Sequence, residues 1–384
     1  MIKTLLIDKT AVLKKYQQKC VELARYEDID LTLLAPRTWV ENYQKISLEK
    51  IRSANYRTIC GRVAFKGYEN RGFYYDLSLP RAIVKIEPRV IIMLEEPFSL
   101  FAFQTVFFAR LFARNSKIIF YSSDDLSKDH RYPYRPSWVY RLISTFTLKN
   151  SHYAIVVNKT AKETLICKGF KSDRITIIPW GIDRTCFKPL NRKRIRSELN
   201  ISTYTIGYVG RILKLKGIQT LLEAVALMQQ KNAQLLIIGE GPDKQFFEQL
   251  AQEMGIHNRT SFMGYIEPDK LAKYYNAMDV LVLPTLSHQK WKEHFGRVLI
   301  EAMACGTPVI GSTCGGIPEV IGDSGLIFEE GNADSLKTKI EAILNSQSLR
   351  EKLINKAMDR VEKNYTWEAF ARKLHDIVVK VVKE

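Results

Sequence analysis

The chain lacks the marks of several common protein classes. Its six cysteines (Cys20, Cys60, Cys167, Cys186, Cys305 and Cys314) form no CxxC pair and no metal-ligand spacing. They read as free thiols of a reducing compartment, not as a disulfide frame or a zinc site. No apolar run is long enough to span a bilayer; the greasiest, Pro97 to Ala109, is short and contains Gln104. The opening MIKTLLIDKT holds too short an apolar stretch for a signal peptide, so the expected location is cytoplasmic. No RNA-binding or helix-turn-helix signature is present, and nucleic acid is not an expected partner. No cluster of His, Cys or acidic residues has metal spacing, so no metal and no cofactor are expected.

What is present is an ordinary soluble composition with an uneven charge. At 384 residues, 46% hydrophobic and 26% charged, the chain suggests two domains with enough buried surface to fold without crosslinks. The net charge of +17 lies mostly in the first half. Residues 1–190 hold 32 Lys/Arg against 18 Asp/Glu, an excess of 14, and the remainder hold 26 against 23. A basic half suits an anionic membrane surface or an acidic substrate, or is simply a solvated face.

Short apolar runs alternate with amphipathic stretches. IKTLLID, DLTLLAP, RVIIML, KIIFYSS, YAIVVN and RITIIPW read as strands in the first half. TIGYVG, AQLLIIG, RTSFMG, VLVLPT, TPVIGS and GLIF follow in the second. Continuous apolar strands separated by helical patterns predict α/β architecture with parallel sheets covered on both faces. The expected fold is two doubly wound Rossmann-like domains facing an interdomain cleft. A charged, turn-rich stretch near 184–200 reads as the linker. The expected division is 1–185, then 186–365, then a helix over 366–384 packing back on the first domain.

Two motifs are decoys. Asp28-Ile29-Asp30 has the spacing of a metal-binding acidic pair, yet it leads into a strand, whereas ligand sites in such sheets lie at carboxyl ends. The Gly239-Glu240-Gly241 triplet is half a dinucleotide fingerprint without its third glycine.

The informative region runs from Thr205 to Phe328. TIGYVGRILKLKG ends a strand in glycine and follows it with Arg211 and Lys216, a planar fork and a point charge that can converge on a diphosphate. In KEHFGRVLIEAMACGTPVIGS, seven residues separate Glu293 from Glu301, and an apolar helix is predicted to begin at Phe295 or Gly296. If the whole interval were helical, its eight steps would span about 12 Å, comparable to the reach from a sugar across a diphosphate to a ribose. The helix N-terminus would offer N–H groups to the phosphates. Glu301, set among apolar neighbours, needs partners, which ribose hydroxyls would supply.

GRILKLKG, GEGP, LPT and EHFGRVLIEAMACGTPVIG together resemble the retaining glycosyltransferases of family 4, also called group 1, with the GT-B fold. The likeness is strong across about 150–377 and looser before it. The resemblance implies that Arg211 and Lys216 bind the donor diphosphate, Glu293 the transferred sugar and Glu301 the ribose. It further implies that backbone N–H groups around Phe295 and Gly296 cap the β-phosphate, and that Tyr265 and Ile266 border the base. The implied reaction moves a hexose-type sugar from a nucleotide-diphosphate donor to a glycan or lipid-linked acceptor, in cell-surface polysaccharide or glycolipid assembly. A front-face attack with retention would need no protein nucleophile.

The first half departs from the family. DKTAVLKKYQQ replaces the Gly-rich loop after the first strand, and Asp124-Asp125 stands where many relatives have a histidine, the nearest here being His130. Asp124 is therefore the candidate catalytic residue on the acceptor side, with Glu293 on the donor side. Trp291 and Lys292 have no role derivable from sequence. A non-catalytic binding subunit or a nucleotide-sugar epimerase of the same architecture are the alternatives. The basic residues Lys9, Lys14, Lys15, Lys19, Arg110, Arg114 and Lys117, with Phe101, Phe103, Phe107 and Phe108, suggest either a peripheral face for an anionic inner-membrane surface or core phenylalanines beside solvated cations.

Overall fold

A computed structural model describes the chain except for residues 42–43, 50, 52–54, 69, 124–135, 231 and 289–290. Asp124 and His130 lie outside the described residues. The chain divides into two compact units, Met1–Gly181 with Trp367–Glu384, and Ile182–Thr366. Each is built on one all-parallel sheet, as the apolar strands require.

The first sheet contains β1 (Ile2–Ile7), β2 (Ile29–Pro36), β3 (Arg57–Gly61), β4 (Val90–Met93), β5 (Lys117–Ser122), β6 (Tyr153–Val156) and β7 (Ile175–Ile177). Its order is β7-β6-β5-β4-β1-β2-β3. The chain thus runs outward from β1 in one direction, then restarts at β4 on the other side, making a switch point between β1 and β4. Among the described residues, five helices connect these strands: α1 (Gln18–Leu23), α2 (Ser78–Ile86), α3 (Leu100–Phe112), α4 (Ser137–Asn150) and α5 (Lys159–Cys167). Helix α3 starts where Ser99 Oγ accepts the Ala102 N–H at 3.1 Å, and α5 where Asn158 accepts the Ala161 N–H at 2.7 Å. Strand β3 was not expected from sequence. It is an edge strand, mostly solvent-facing, so RTICG carries little apolar signal.

The second sheet contains β8 (Tyr204–Val209), β9 (Ala233–Ile238), β10 (Thr260–Phe262), β11 (Val280–Leu283), β12 (Val309–Ser312) and β13 (Leu326–Phe328). Its order, β10-β9-β8-β11-β12-β13, places a second switch point between β8 and β11. Its helices are α6 (Arg192–Glu198), α7 (Ile218–Leu227), α8 (Lys244–Glu253), α9 (Pro268–Ala277), α10 (Arg297–Ala304), α11 (Ile317–Ile321), α12 (Ala333–Asn345) and α13 (Gln347–Asn364). The stretch read as a linker near 184–200 is partly helical instead. Its α6 is docked in the second unit because Asp279 receives Arg192 at 2.7 Å, Arg196 at 3.1 Å and the Thr205 N–H at 2.8 Å.

The last helix, α14 (Trp367–Lys383), belongs to the first unit. Its apolar face, from Trp367 and Phe370 to Leu374, Val378 and Val381, is buried, and it packs beside α1. The acidic pair of the decoy motif stands at the amino end of β2, where His375 of α14 meets Asp28 at 2.9 Å and Arg57 forks onto Asp30 at 2.7 and 2.8 Å. Among the described residues no helix is long and apolar enough to cross a membrane, and no group of three or more His, Cys, Asp or Glu could hold a metal.

Candidate functional site

Ligands of doubly wound sheets bind outside the carboxyl ends of strands, at the switch point. In the second unit that point is where β8 and β11 end. Strand β8 runs out through Gly210 to Arg211, which is exposed. The turn is fixed from within, because the buried Tyr208 hydroxyl donates to the Arg211 carbonyl at 2.7 Å. Burial, and then the nearby Glu293 charge, hold the Tyr208 hydroxyl far above the usual phenol range, so it remains a donor.

Lys216 ends a short turn of 3-10 helix, and Gly217 follows with φ +71°. A Cβ on Gly217 would stand 1.8 Å from the Pro284 carbonyl oxygen. Only glycine lets this turn close onto the end of β11. The same contact zone is tied by the Leu286 N–H, which donates to the Leu215 carbonyl at 3.0 Å. Lys216 is thereby delivered to Glu293, with Nζ 2.7 Å from Oε2 and both side chains 16% exposed. The ammonium also lies 4.3 Å from the centre of the Trp291 ring, a cation–π arrangement. Trp291 exchanges backbone hydrogen bonds with His288 at 2.9 and 3.1 Å. Sequence reasoning assigned Trp291 nothing, and only the fold reveals that it faces Lys216.

Glu293 is held by its backbone. The Gly316 N–H donates to its carbonyl at 2.7 Å, and a Cβ on Gly315 would lie 2.3 Å from that same oxygen. Helix α10 begins at Arg297, with Gly296 in the left-handed region at its start. The helix therefore covers only the second part of the interval between the two glutamates, and the all-helical span considered from sequence is not formed. Phe295 turns its ring into the core against Tyr365, centroids 5.8 Å apart. Only its backbone is left to face a ligand.

Glu301 is 8% exposed. Tyr275 of α9 donates its hydroxyl to Glu301 Oε2 at 2.8 Å, a partner that sequence reasoning did not name. Burial first, and then the Glu301 carboxylate, drive the Tyr275 hydroxyl well above its ordinary pKa. No spacing rule connects residues 26 apart on two helices. Tyr265, exposed, and Ile266, half-buried, follow Gly264, whose carbonyl accepts the Gly239 N–H at 2.8 Å. The Gly239-Glu240-Gly241 triplet is explained by packing: a Cβ on Gly239 or Gly241 would meet the Gly210 or Ile212 carbonyl at 1.9 or 2.0 Å.

Residues 191–360 match the family described as glycosyl transferases group 1. They are a group 1 glycosyl transferase domain. Among curated relatives, the chain is 30% identical over 262 residues to an uncharacterised glycosyltransferase of Methanocaldococcus jannaschii, covering 65% of this chain and 63% of the relative. It is 30% identical over 249 residues to a D-inositol 3-phosphate glycosyltransferase of Corynebacterium kroppenstedtii, covering 60% and 54%. The chain thus spans between about half and two thirds of the length of these relatives. In fold it is similar to sucrose-phosphate synthase from Thermosynechococcus elongatus, with a TM-score of 0.72 at 22% identity over 99% of both chains. It is also similar to HepE of Anabaena in complex with UDP, with a TM-score of 0.74 at 16% identity over 99% and 100%. The fold is of the GT-B type.

The switch point of the first unit has a different chemistry. Asp8, at the end of β1, accepts the Thr10 N–H at 2.8 Å and its hydroxyl at 2.7 Å. Its other oxygen lies 2.5 Å from Lys19 Nζ, with both side chains fully buried. Lys19 sits 5.1 and 5.5 Å from the ring centres of Trp180 and Trp367. Lys9 reaches Glu95, after β4, at 2.6 Å. Glu96 accepts from the Ser122 hydroxyl, the Ser123 N–H and the Ser123 hydroxyl, each at 2.7 Å. The Asp8–Lys19 and Lys9–Glu95 ion pairs stand just after β1 and β4. They correct the basic-face expectation, since Lys19 is internal and Lys9 is consumed by Glu95. Of the phenylalanines, Phe101 is core, whereas Phe103 and Phe107 are exposed.

Proposed function

We propose that the chain is a retaining glycosyltransferase that moves a hexose-type sugar from a nucleotide-diphosphate donor to a glycan or lipid-linked acceptor. The observation that carries this reading is the Lys216–Glu293 pair, 2.7 Å apart, beside the start of α10. An ammonium and a carboxylate are what a phosphate and a sugar hydroxyl respectively require. Arg211 and Lys216 would take the diphosphate, with the Phe295 and Gly296 backbone and the α10 terminus behind it. Glu293 would accept from hydroxyls of the sugar, and Glu301, oriented by Tyr275, from the ribose. Tyr265 and Ile266 would border the base.

The chemistry then follows from charge. The sugar C1–O bond to the phosphate breaks as the acceptor oxygen bonds to C1 on the same face, and the acceptor proton passes to the departing phosphate oxygen. Cations already in place stabilise the negative charge as it develops, each charged hydrogen bond contributing about 1.5–3 kcal/mol. Asp124 remains the proposed acceptor-side residue. The proposed setting is the cytoplasmic face of a membrane, in cell-surface polysaccharide or glycolipid assembly.

A thermal-shift panel of nucleotide diphosphates and nucleotide sugars tests the donor, with UDP the natural first probe because HepE, of the same fold, holds it. Saturating ligand should stabilise the fold by a few kcal/mol, and a panel without any response would overturn the reading. Transfer should also survive EDTA. Activity lost to chelator and restored by Mg²⁺ or Mn²⁺ would reject the metal-free course.

A further inference from the structure

At the amino-terminal foot of the first sheet, on the edge opposite the switch point, lies a cavity of about 470 Å³. Arg89, just before β4, Arg114, and Lys117, at the start of β5, bring three cations to its wall, against one acid, Glu87, among the described residues. Glu87 has Lys3 at 3.8 Å. The wall is tied together by backbone bonds: the Arg89 N–H donates to the Lys3 carbonyl at 2.8 Å, and the Lys117 N–H to the Arg89 carbonyl at 2.9 Å. The Arg114 carbonyl is held by Arg110 at 2.9 Å. Next to this wall in the sheet, His152 accepts the Ile118 N–H on its Nδ1 at 2.9 Å. Its pKa is pushed down to about 4, by burial first and then by Arg110, Lys117 and Arg174.

The cavity adjoins an unusual surface. Phe112, which lines it, ends a ladder of rings along α3: Phe103 stacks on Phe107 at 6.1 Å, Phe107 meets Phe108 at 5.4 Å, and Phe108 stacks on Phe112 at 6.0 Å. Phe103 also touches Phe146 of α4 at 5.3 Å. Leu111, Trp138 and Leu142 on these helices are 52%, 64% and 61% exposed. Helices α2, α3 and α4 contain five Lys/Arg and not one Asp or Glu. An apolar aromatic surface on helices whose own charged residues are all basic has the composition of a face that lies in the interfacial layer of an anionic bilayer.

We propose that this cavity receives the phosphate of an anionic phospholipid headgroup while the α3–α4 aromatic ladder enters the bilayer interface. The inference rests on the lipid-side reading of the proposed function and assigns it a site. Arg89, Arg114 and Lys117 meet the phosphate, and the rings of α3 carry the apolar contact. The amino-terminal foot of the sheet, not the first helix, faces the lipid.

The test is co-sedimentation of the full chain with phosphatidylcholine vesicles containing rising fractions of phosphatidylglycerol, at low salt. Binding should rise with the anionic fraction and fall as salt screens it. Each cation near such a surface is worth about a fivefold change in partitioning. Arg114→Gln with Lys117→Gln should therefore lose roughly 25-fold, while Lys14→Gln with Lys15→Gln, on the opposite edge, should lose little. Phe107→Ser with Phe112→Ser should release the protein from vesicles while it remains folded at the assay temperature. Equal losses from the two charge pairs, equal binding to pure phosphatidylcholine, or no sedimentation at all would each overturn the proposal. Stabilisation by glycerol phosphate without vesicle binding would likewise overturn it in favour of a soluble phosphate ligand. Nucleotide-diphosphate binding, measured on the same variants, should be unchanged. Its absence in the parent protein would reject the donor reading and leave the vesicle result standing.

Discussion

Lys216 has two neighbours of opposite character: the Glu293 carboxylate at 2.7 Å and the Trp291 ring at 4.3 Å. A diphosphate must compete with the first for the ammonium, while the second keeps the ammonium in place as it turns. Arg211→Ala and Lys216→Ala should each weaken nucleotide-diphosphate binding by about tenfold or more, with little change in melting temperature. Calorimetry showing unchanged affinity would remove either residue from the site. Trp291→Leu should weaken the same binding and Trp291→Phe less so, because the phenyl ring retains a π face; in a Lys216→Met background neither should matter. The two glutamates divide differently. Glu293→Gln should suppress transfer far more than it weakens free nucleotide, while Glu301→Gln should weaken the nucleotide itself, since its proposed partner is the ribose. The same binding loss and the same turnover in both variants would collapse that division.

At the scale of elements, the site depends on loops that can approach strands closely. The turn carrying Lys216 reaches the end of β11 only because residue 217 has no side chain. Gly217→Ala combines a left-handed backbone with a collision against the Pro284 carbonyl. It should lose roughly 1–3 kcal/mol of stability from the backbone conformation alone, and more if the turn cannot shift. Nucleotide affinity should fall with it as Lys216 is displaced. Gly255→Ala is the matched control: φ is +67° but nothing lies within 4 Å of the added atom. Denaturant unfolding that gave the two variants equal losses would show that the close approach is unimportant. The interval between Glu293 and Glu301 makes a related point. Its glycine and apolar run correctly announce a helix, but the helix starts only after Gly296, where the backbone turns left-handed.

For the whole molecule, charge placement determines how stability responds to pH. His152 is neutral in the fold because its ordinary pKa of 6.5 falls to about 4. Between those values the unfolded chain binds the extra proton and the folded one does not. This group's contribution is therefore complete above about pH 6.5 and is lost as pH falls towards 4. His152 is only half-buried, so solvent screening reduces the effect to about 1–2 kcal/mol. His152→Asn, which retains an acceptor for the Ile118 N–H, should flatten the stability curve over that window. An unchanged slope would show that His152 does not carry it.

The sequence by itself determined the architecture and the candidate donor residues, because both are written in local pattern. Twelve apolar runs bounded by turns become strands whatever their neighbours, and parallel pairing follows from helices between them. A strand ending in glycine, then Arg211 and Lys216, and two glutamates around a helix start are also short-range signals. Tertiary structure decided everything that depends on pairing across the chain. It joined Lys216 to Glu293 and Trp291, gave Glu301 the Tyr275 hydroxyl, and paired β3 to an edge that its own residues do not advertise. It also took Lys19 and Lys9 out of the basic surface by placing them against Asp8 and Glu95. A lysine is exposed or buried according to the acid that folding brings to it, and neither composition nor periodicity encodes that meeting.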